Sequence, residues 1–593
     1  MYSVAINGSL EGFFAGRKGV RQGDPLSPYL FVICMEVLSK LLNNAAKSGS
    51  LPYHPKCEKI GLTHLCFADD LLIFTDGSES AIARIDSILQ HFYTLTGLKV
   101  NYQKSEIFCC GMPPDMVQSL TSSYGFKVGT LPVRYLGVPL ITGRLNDAAL
   151  KPLIAKITDR IHSWSSKHLS FAGRLQLITS IFQGIITFWC SIFILPKRVI
   201  KAVESICSAF LWNATATNAR GAKVKWQDVC LPKHEGGLGL KPILEWNTAC
   251  MLRLIWILFS RAGSIWVAWV HAYLLKGKSF WYIKIPSDAS WSWRKILKLR
   301  TQARQLIQHQ VGTGESIYLW FDSWHPKGPL IEKYGEKIVQ DAAIPLQAKL
   351  SSVVKGNFWN WPPARSPELL QIQIGLCGTL YPNQDRADTV HWIASPTGVF
   401  HAGHTWNQIR FKQPRVPWHT IIWSSNSIPK HSFISWLAVL NRLSTKARQQ
   451  KWTATVDDTC SLCRSAAETR DHLFFSYPYS SFIWEKVSTM VGIPIIRSWQ
   501  TLLSWLCKRL KRKALLTTII KLAWCATIYH IWKERNNRLH NRFFSSELSI
   551  LEMICADVRD RVLGFAKPRM SPMPHNIAVN WGLEILCTDR FDS

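Results

Sequence analysis

The alternation of apolar and polar positions sets out a series of elements before any chemistry is considered. Leu30, Ile33, Cys34, Val37, Leu38, Leu41, Leu42 and Ala45 recur at helical spacing, with Ser27-Pro28 as a cap and first-turn proline and Gly49 as a stop. Thr63–Phe67 and Leu71–Phe74 are short apolar runs around Ala68-Asp69-Asp70, which predicts a β-hairpin with carboxylates at its turn. Ala81–Thr96 predicts a second amphipathic helix, ended by Gly97. From 150 to 260 the pattern is mostly helical.

Further along, the signals change. The longest uncharged run, Leu175–Leu195, is long enough to span a bilayer. It contains Gln176, Gln183 and Gly184, so a buried helix or helix pair is the expectation, with no membrane partner. Between 261 and 415, Trp291, Trp293, Trp320, Trp324, Trp359, Trp361, Trp392 and Trp406 recur among turn residues. Indoles can stack on bases, but here the core reading is preferred. No fixed-period repeat or low-complexity tract interrupts the chain.

Composition adds a partner class. The chain has 593 residues, 47% of them apolar, which excludes end-to-end disorder and allows about four domains. Lys+Arg outnumber Asp+Glu by 70 to 39, a formal charge of +31, which points to a polyanionic partner. Residues 1–150 carry 13 basic and 12 acidic side chains; residues 151–593 carry 57 and 27 and hold nearly all the excess. Sixteen cysteines are too dilute for a disulfide scaffold, and the opening MYSVAINGSL shows no secretory pattern. A nuclear or cytoplasmic location is expected.

Asp69 and Asp70 are the first candidates for chemistry. Adjacent acids beside apolar strands cost desolvation energy unless compensated, and a hard divalent cation is one compensation. The alternative is a solvated Asp-Asp turn. Upstream, Arg17-Lys18-Gly19-Val20-Arg21-Gln22-Gly23-Asp24-Pro25-Leu26-Ser27-Pro28 places glycines, basic groups and an amide before a helix start, a combination suited to phosphate or to a flexible basic loop. Cys460-Ser461-Leu462-Cys463 followed by His472 has zinc-ligand chemistry, against a metal-free module with two free thiols. Lys508–Lys513 could contact phosphates, form the solvated face of a helix or act as a nuclear localisation patch. Ile528–Arg542 has an aromatic-apolar face and a basic face, which suggests packing plus RNA contact.

RKGVRQGDPLSPYLFVICMEVLSKLL followed by LCFADDLLIF resembles the reverse transcriptase of plant LINE-type (non-LTR) retroelements. Gly97-Leu98-Lys99-Val100-Asn101 with Lys104-Ser105 resembles the segment after the family's hairpin, and Tyr135-Leu136-Gly137-Val138-Pro139-Leu140 is similar to its primer grip. Trp164 with Leu169–Arg174 resembles the thumb, and Gly236–Gly239 and Asp322-Ser323-Trp324 resemble later stretches of the polyprotein.

The resemblance implies an RNA-directed DNA polymerase acting on an RNA template, a DNA primer and dNTPs. Asp69 and Asp70 would be catalytic carboxylates holding Mg²⁺, with Arg21, Gln22, Gly23 and Lys104 near nucleotide and template. Cys460, Cys463 and His472 would bind Zn²⁺, an incomplete set because Tyr477 stands where the family has another cysteine. A further catalytic aspartate is implied upstream, yet Met1–Val20 contains no Asp and only Glu11. The expectation is therefore a truncated remnant lacking one catalytic Asp, with a non-catalytic RNA- or DNA-binding protein of the same fold as the alternative. A helical structural protein is the third reading.

The fold class expected is α+β. A partial polymerase palm over 1–142, an antiparallel hairpin sheet plus helices, leads into a helical thumb-like region over 143–260. A Trp-rich connection over 261–415, a zinc-binding-like module over 416–500 and a basic helical tail over 501–593 follow.

Overall fold

The computed structural model describes residues 2–16, 19–141, 143–163, 169–217, 221–376, 381–452, 457–511, 514–565 and 574–584. Arg17, Lys18, Trp164, Arg512 and Lys513, singled out above, lie outside the described residues. The chain is mostly helical, and its strands form six two-stranded sheets among the described residues. It divides into two compact units: Met1–Leu145 with Leu252–His401, and Asn146–Met251 with Ala402–Ser593.

The first unit opens with an antiparallel hairpin, β1 (Tyr2–Ile6) and β2 (Ser9–Phe14), turning at Asn7-Gly8. Both turn residues have positive φ, 51° and 89°, the geometry that makes Asn-Gly a favoured hairpin turn. Helix α1 (Ser27–Lys47) follows, then the hairpin β3 (His64–Phe67) and β4 (Asp70–Ile73), then α2 (Glu79–Thr96). Leu38, Leu42 and Ala45 of α1 and Ala81, Ile85, Ile88, Leu89 and Phe92 of α2 form one core, with Leu71 and Ile73 of β4 packed on it. The expected hairpin backed by helices is present.

Three details differ from the sequence reading. Ser27 is not a cap: it is the first helical residue, its hydroxyl donates to the Arg21 carbonyl at 2.6 Å, and Asp24 accepts from the Leu26 N–H at 2.8 Å. The apolar stripe of α1 is buried only in its later half, since Leu30 and Ile33 are 48% and 62% exposed. α2 begins two residues before Ala81, where the Ser78 hydroxyl accepts from the Ala81 N–H, and it ends at Gly97 in the left-handed region.

Five of the eight tryptophans are buried as the core reading expects, while Trp291, Trp359 and Trp361 are half-buried. Trp320, Trp324 and Trp392 are almost wholly buried, and Trp392 meets Trp256 edge-on with ring centroids 5.9 Å apart. Asp322 of the Asp-Ser-Trp stretch is buried too, accepting from the Trp281 indole at 2.7 Å and the Tyr318 N–H at 2.6 Å. Trp392→Ala is expected to cost about 3–5 kcal/mol by loss of transfer energy and creation of a cavity, read as a lower urea midpoint by circular dichroism.

In the second unit the run from Phe171 to Cys190 is helical, with a π-helical stretch at Ile178–Phe182, and Phe182, Trp189 and Cys190 are buried. Of the expected buried helix or helix pair, the first is found, as a single helix with a π-helical interruption. Gly236-Gly237-Leu238-Gly239 is a tight crossing: a Cβ at Gly237 would meet the Leu231 carbonyl oxygen at 2.1 Å. Glu235 beside it makes a buried bidentate pair with Arg410. Helices Asp147–Ser163, Lys197–Asn213, Pro429–Val439, Pro478–Met490, Trp499–Arg509, Leu515–Asn536 and Glu547–Leu563 add buried side chains to the core of this unit.

Two helical stretches, Ser27–Lys47 and Leu515–Asn541, are long and apolar enough to cross a membrane, and the second is mostly buried within its unit. Every described cysteine is a free thiol.

Candidate functional site

The acidic pair sits where alternation predicts. Phe67 pairs with Asp70, so Ala68 and Asp69 form the two-residue turn between β3 and β4. Ala68 adopts φ 51°, a left-handed conformation that disfavours residues with a Cβ. This turn presents Asp69 and Asp70 together at the exposed hairpin tip.

A second hairpin lies within its electrostatic field. Val133–Tyr135 pairs with Val138–Leu140 around Leu136-Gly137, both with positive φ. Burial and then the Asp70 carboxylate, with Cys66, push the Tyr135 phenol up from its ordinary value.

Arg21, Gln22 and Gly23 lie on an exposed turn closed by the Asp24 N–H on the Arg21 carbonyl, with Gly23 at φ 87°. Lys104 is exposed at the end of a short turn whose Tyr102 hydroxyl donates to Asp86 of α2 at 2.7 Å. Among the described residues no hydrogen bond, ion pair or ring contact joins these residues to Asp69 or Asp70. Nor do the two aspartates belong to any three-ligand cluster among the described residues.

The cysteine site is more fully assembled. The Cys460 N–H donates to the Ala466 carbonyl at 2.7 Å, and Arg464 takes a left-handed φ of 59°, closing the Cys-x-x-Cys turn. The Leu462 and Ser465 N–H groups donate to the sulfurs of Cys460 and Cys463, each at 3.4 Å. His472 opens the helical stretch His472–Ser476 and brings its Nε2 to 3.3 Å from Cys463 Sγ. One ligand atom from each of Cys460, Cys463 and His472 lies within 4.8 Å of the others. Two sulfurs and an imidazole converging on one point are a donor set that suits zinc.

The two thiols differ. Burial pushes Cys460 up. Burial also opposes the Cys463 thiolate, but hydrogen bonds from Ser465 and His472 outweigh it and bring its pKa down to about 6. In chelator-treated protein Cys463 is expected to react with iodoacetamide at pH 7, with a rate falling as pH drops through about 6. Cys207 and Cys525, pushed up to about 12 by burial, should remain unmodified, as peptide mass mapping would show.

Tyr477 does not complete the tetrahedron as a thiolate would. Its hydroxyl donates to the Leu462 carbonyl at 3.1 Å, and burial raises its pKa. Tyr477→Cys is expected to tighten zinc retention, measured by competition with a chromophoric chelator.

Sequence reasoning missed the support beneath this site. Glu468, with no exposed surface, accepts from the Ser461 N–H at 3.1 Å, the Lys446 N–H at 3.0 Å and both Nε and Nη2 of Arg535 at 3.1 and 2.7 Å. Arg535, in the stretch expected to combine packing with RNA contact, is buried in this pair, and Arg538 is held by Glu534 at 2.7 Å. Half of the basic residues expected on a face of Ile528–Arg542 are held inside the fold. Lys533 and Arg542 alone among its Lys and Arg residues are exposed.

Residues 1–140 match the family described as reverse transcriptase (RNA-dependent DNA polymerase), and residues 400–484 match the one described as zinc-binding in reverse transcriptase. The chain is 23% identical over 466 residues to an Arabidopsis thaliana protein named for ribonuclease H, covering 74% of this chain and 72% of that protein. It is 48% identical over 66 residues to an uncharacterized mitochondrial protein of the same plant, 11% of this chain and 54% of the relative. It is 29% identical over 259 residues to the Pol polyprotein of the retrotransposable element R2DM of Drosophila melanogaster, 41% of this chain but 22% of that protein. The chain thus spans about half of the second relative and less than a quarter of the third.

Proposed function

We propose that this chain, a homologue of the non-LTR retroelement reverse transcriptases with a zinc-binding reverse transcriptase region, belongs to the RNA-directed DNA polymerase of a plant LINE-like element. Residues 1–142 serve as part of the palm, 143–260 as the thumb, and the Trp-rich, Cys/His and basic segments as downstream support. Asp69 and Asp70 hold Mg²⁺ at the primer end, Arg21, Gln22 and Gly23 approach template and nucleotide, and Lys104 meets nucleotide phosphates. The observation that carries this reading is the paired presentation of Asp69 and Asp70 at a strained hairpin turn, with Tyr135 in the field of Asp70, inside the reverse-transcriptase-like segment.

The resemblance implies a further catalytic aspartate upstream of Arg21, to hold the two ions of phosphoryl transfer together with Asp69 and Asp70. Residues 2–16 and 19–20 offer one acid, Glu11, exposed on β2. These 593 residues alone are therefore expected to bind template–primer while extending it feebly in Mg²⁺. Primer-extension assays test this: robust synthesis that Asp69→Ala abolishes would overturn the expectation of feeble extension and leave the polymerase assignment standing. Binding without extension supports a non-catalytic RNA- or DNA-binding role for the chain, the second reading, which the exposed and unclustered placement of the two aspartates favours.

Zn²⁺ at Cys460, Cys463 and His472 would tie the Cys-x-x-Cys turn to the helix that follows it, a structural contribution to the fold.

A further inference from the structure

A second convergence of ligand atoms lies elsewhere in the second unit, on three helices of its core. His431 comes from Pro429–Val439, His530 from Leu515–Asn536 and Asp557 from Glu547–Leu563. The Nε2 atoms of both imidazoles lie close to the same carboxylate oxygen: His431 at 3.1 Å and His530 at 2.8 Å from Asp557 Oδ2. One ligand atom from each lies within 4.8 Å of the others. The His431 and His530 side chains are 1% and 5% exposed, whereas Asp557 is 30% exposed and leaves a way in from solvent.

Hydrogen bonding leaves this cluster incomplete. His530 Nε2 makes an aligned bond to Asp557, but the 3.1 Å approach of His431 Nε2 lacks hydrogen-bond alignment. Both ring nitrogens of His431 and the Nδ1 of His530 are therefore buried without a hydrogen-bond partner. A buried polar atom left in that state costs about 1–3 kcal/mol. An ion bound about 2 Å from each donor in tetrahedral geometry holds its donors about 3.3 Å apart. The two nitrogen–oxygen separations are within about half an ångström of that spacing.

We propose that His431, His530 and Asp557 form a second divalent-metal site, selective for Zn²⁺ and independent of the cysteine site. Two imidazoles and one carboxylate are borderline donors that suit zinc, and three protein ligands leave a fourth position for water. The Lys430 ammonium, 3.8 Å from Asp557 Oδ2 and 44% exposed, now pairs with the carboxylate the ion would use. It opposes cation binding and keeps the site weaker than its ligand count implies. The ion would pin three core helices through side chains rather than close a loop.

The test uses the full chain, loaded with zinc, desalted through a weak chelator and assayed by elemental mass spectrometry. Cys460→Ser/Cys463→Ser is expected to retain one zinc per chain. Adding the near-isosteric Asp557→Asn should remove it while circular dichroism stays unchanged. Lys430→Ala in the double-serine background should lower the zinc dissociation constant several-fold, which a merely structural His–Asp–His contact would not do. A double-serine chain that holds no zinc overturns the proposal, as does equal zinc with and without Asp557→Asn. Wild-type protein with a single zinc that survives the double serine would support this site and contradict the cysteine one.

Discussion

Glu468→Ala should be among the most damaging single substitutions outside any reacting centre. It strips the partner from a wholly buried Arg535 and leaves the Ser461 and Lys446 N–H groups without their acceptor. Breaking a buried ion pair from one side costs about 3–5 kcal/mol, because the remaining charge stays desolvated. The loss should appear as a lower urea midpoint by circular dichroism, together with weaker zinc retention, since Ser461 lies between the two cysteine ligands. Glu485→Ala makes the control. Its partner Arg497 is 60% exposed, and such surface pairs are worth less than about 1 kcal/mol. Equal effects from the two would remove Glu468 from its supporting role.

The second large effect is electrostatic. Residues 151–593 carry 57 basic and 27 acidic side chains, so binding to RNA or DNA should release many counterions. Affinity for a template–primer duplex is expected to fall about a thousandfold between roughly 50 and 200 mM salt, as for a protein touching six or more phosphates. Lys508, Arg509 and Lys511 are exposed at the end of helix Trp499–Arg509 and available for such contacts. Their joint replacement by alanine should flatten the slope of log affinity against log salt by about 0.9 per lost contact. Arg535→Ala should not alter that slope in protein that still folds, because its guanidinium is buried on Glu468. Fluorescence anisotropy across a salt series reads both.

What the sequence discloses here depends on how local the cause is. The β3–β4 hairpin, α2 with its Gly97 stop and the Cys-x-x-Cys turn follow from alternation, helical spacing and turn chemistry within a few residues. Asn7-Gly8 carries the same kind of signal for β1–β2, between flanking strand residues. Burial is not local. The stripe of α1 is apolar along its whole length, yet Leu38 is buried and Ile33 exposed, because only the later half meets α2. The same holds for charge. Arg535 reads as a surface base beside Lys533, and only the fold reveals Glu468, 67 residues earlier, as its partner. His431, His530 and Asp557 have no motif spacing at all; three packed helices bring them together.

The most direct test concerns the acidic hairpin tip. Electron paramagnetic resonance of Mn²⁺, added to the full chain with a primer–template and a non-hydrolysable dNTP analogue, counts the ions held when nucleic acid is present. The account predicts a bound Mn²⁺ signal that appears only with the nucleic acid and nucleotide and disappears in Asp69→Asn/Asp70→Asn. The same bound Mn²⁺ in wild type and the double variant would mean that Asp69 and Asp70 hold no catalytic ion.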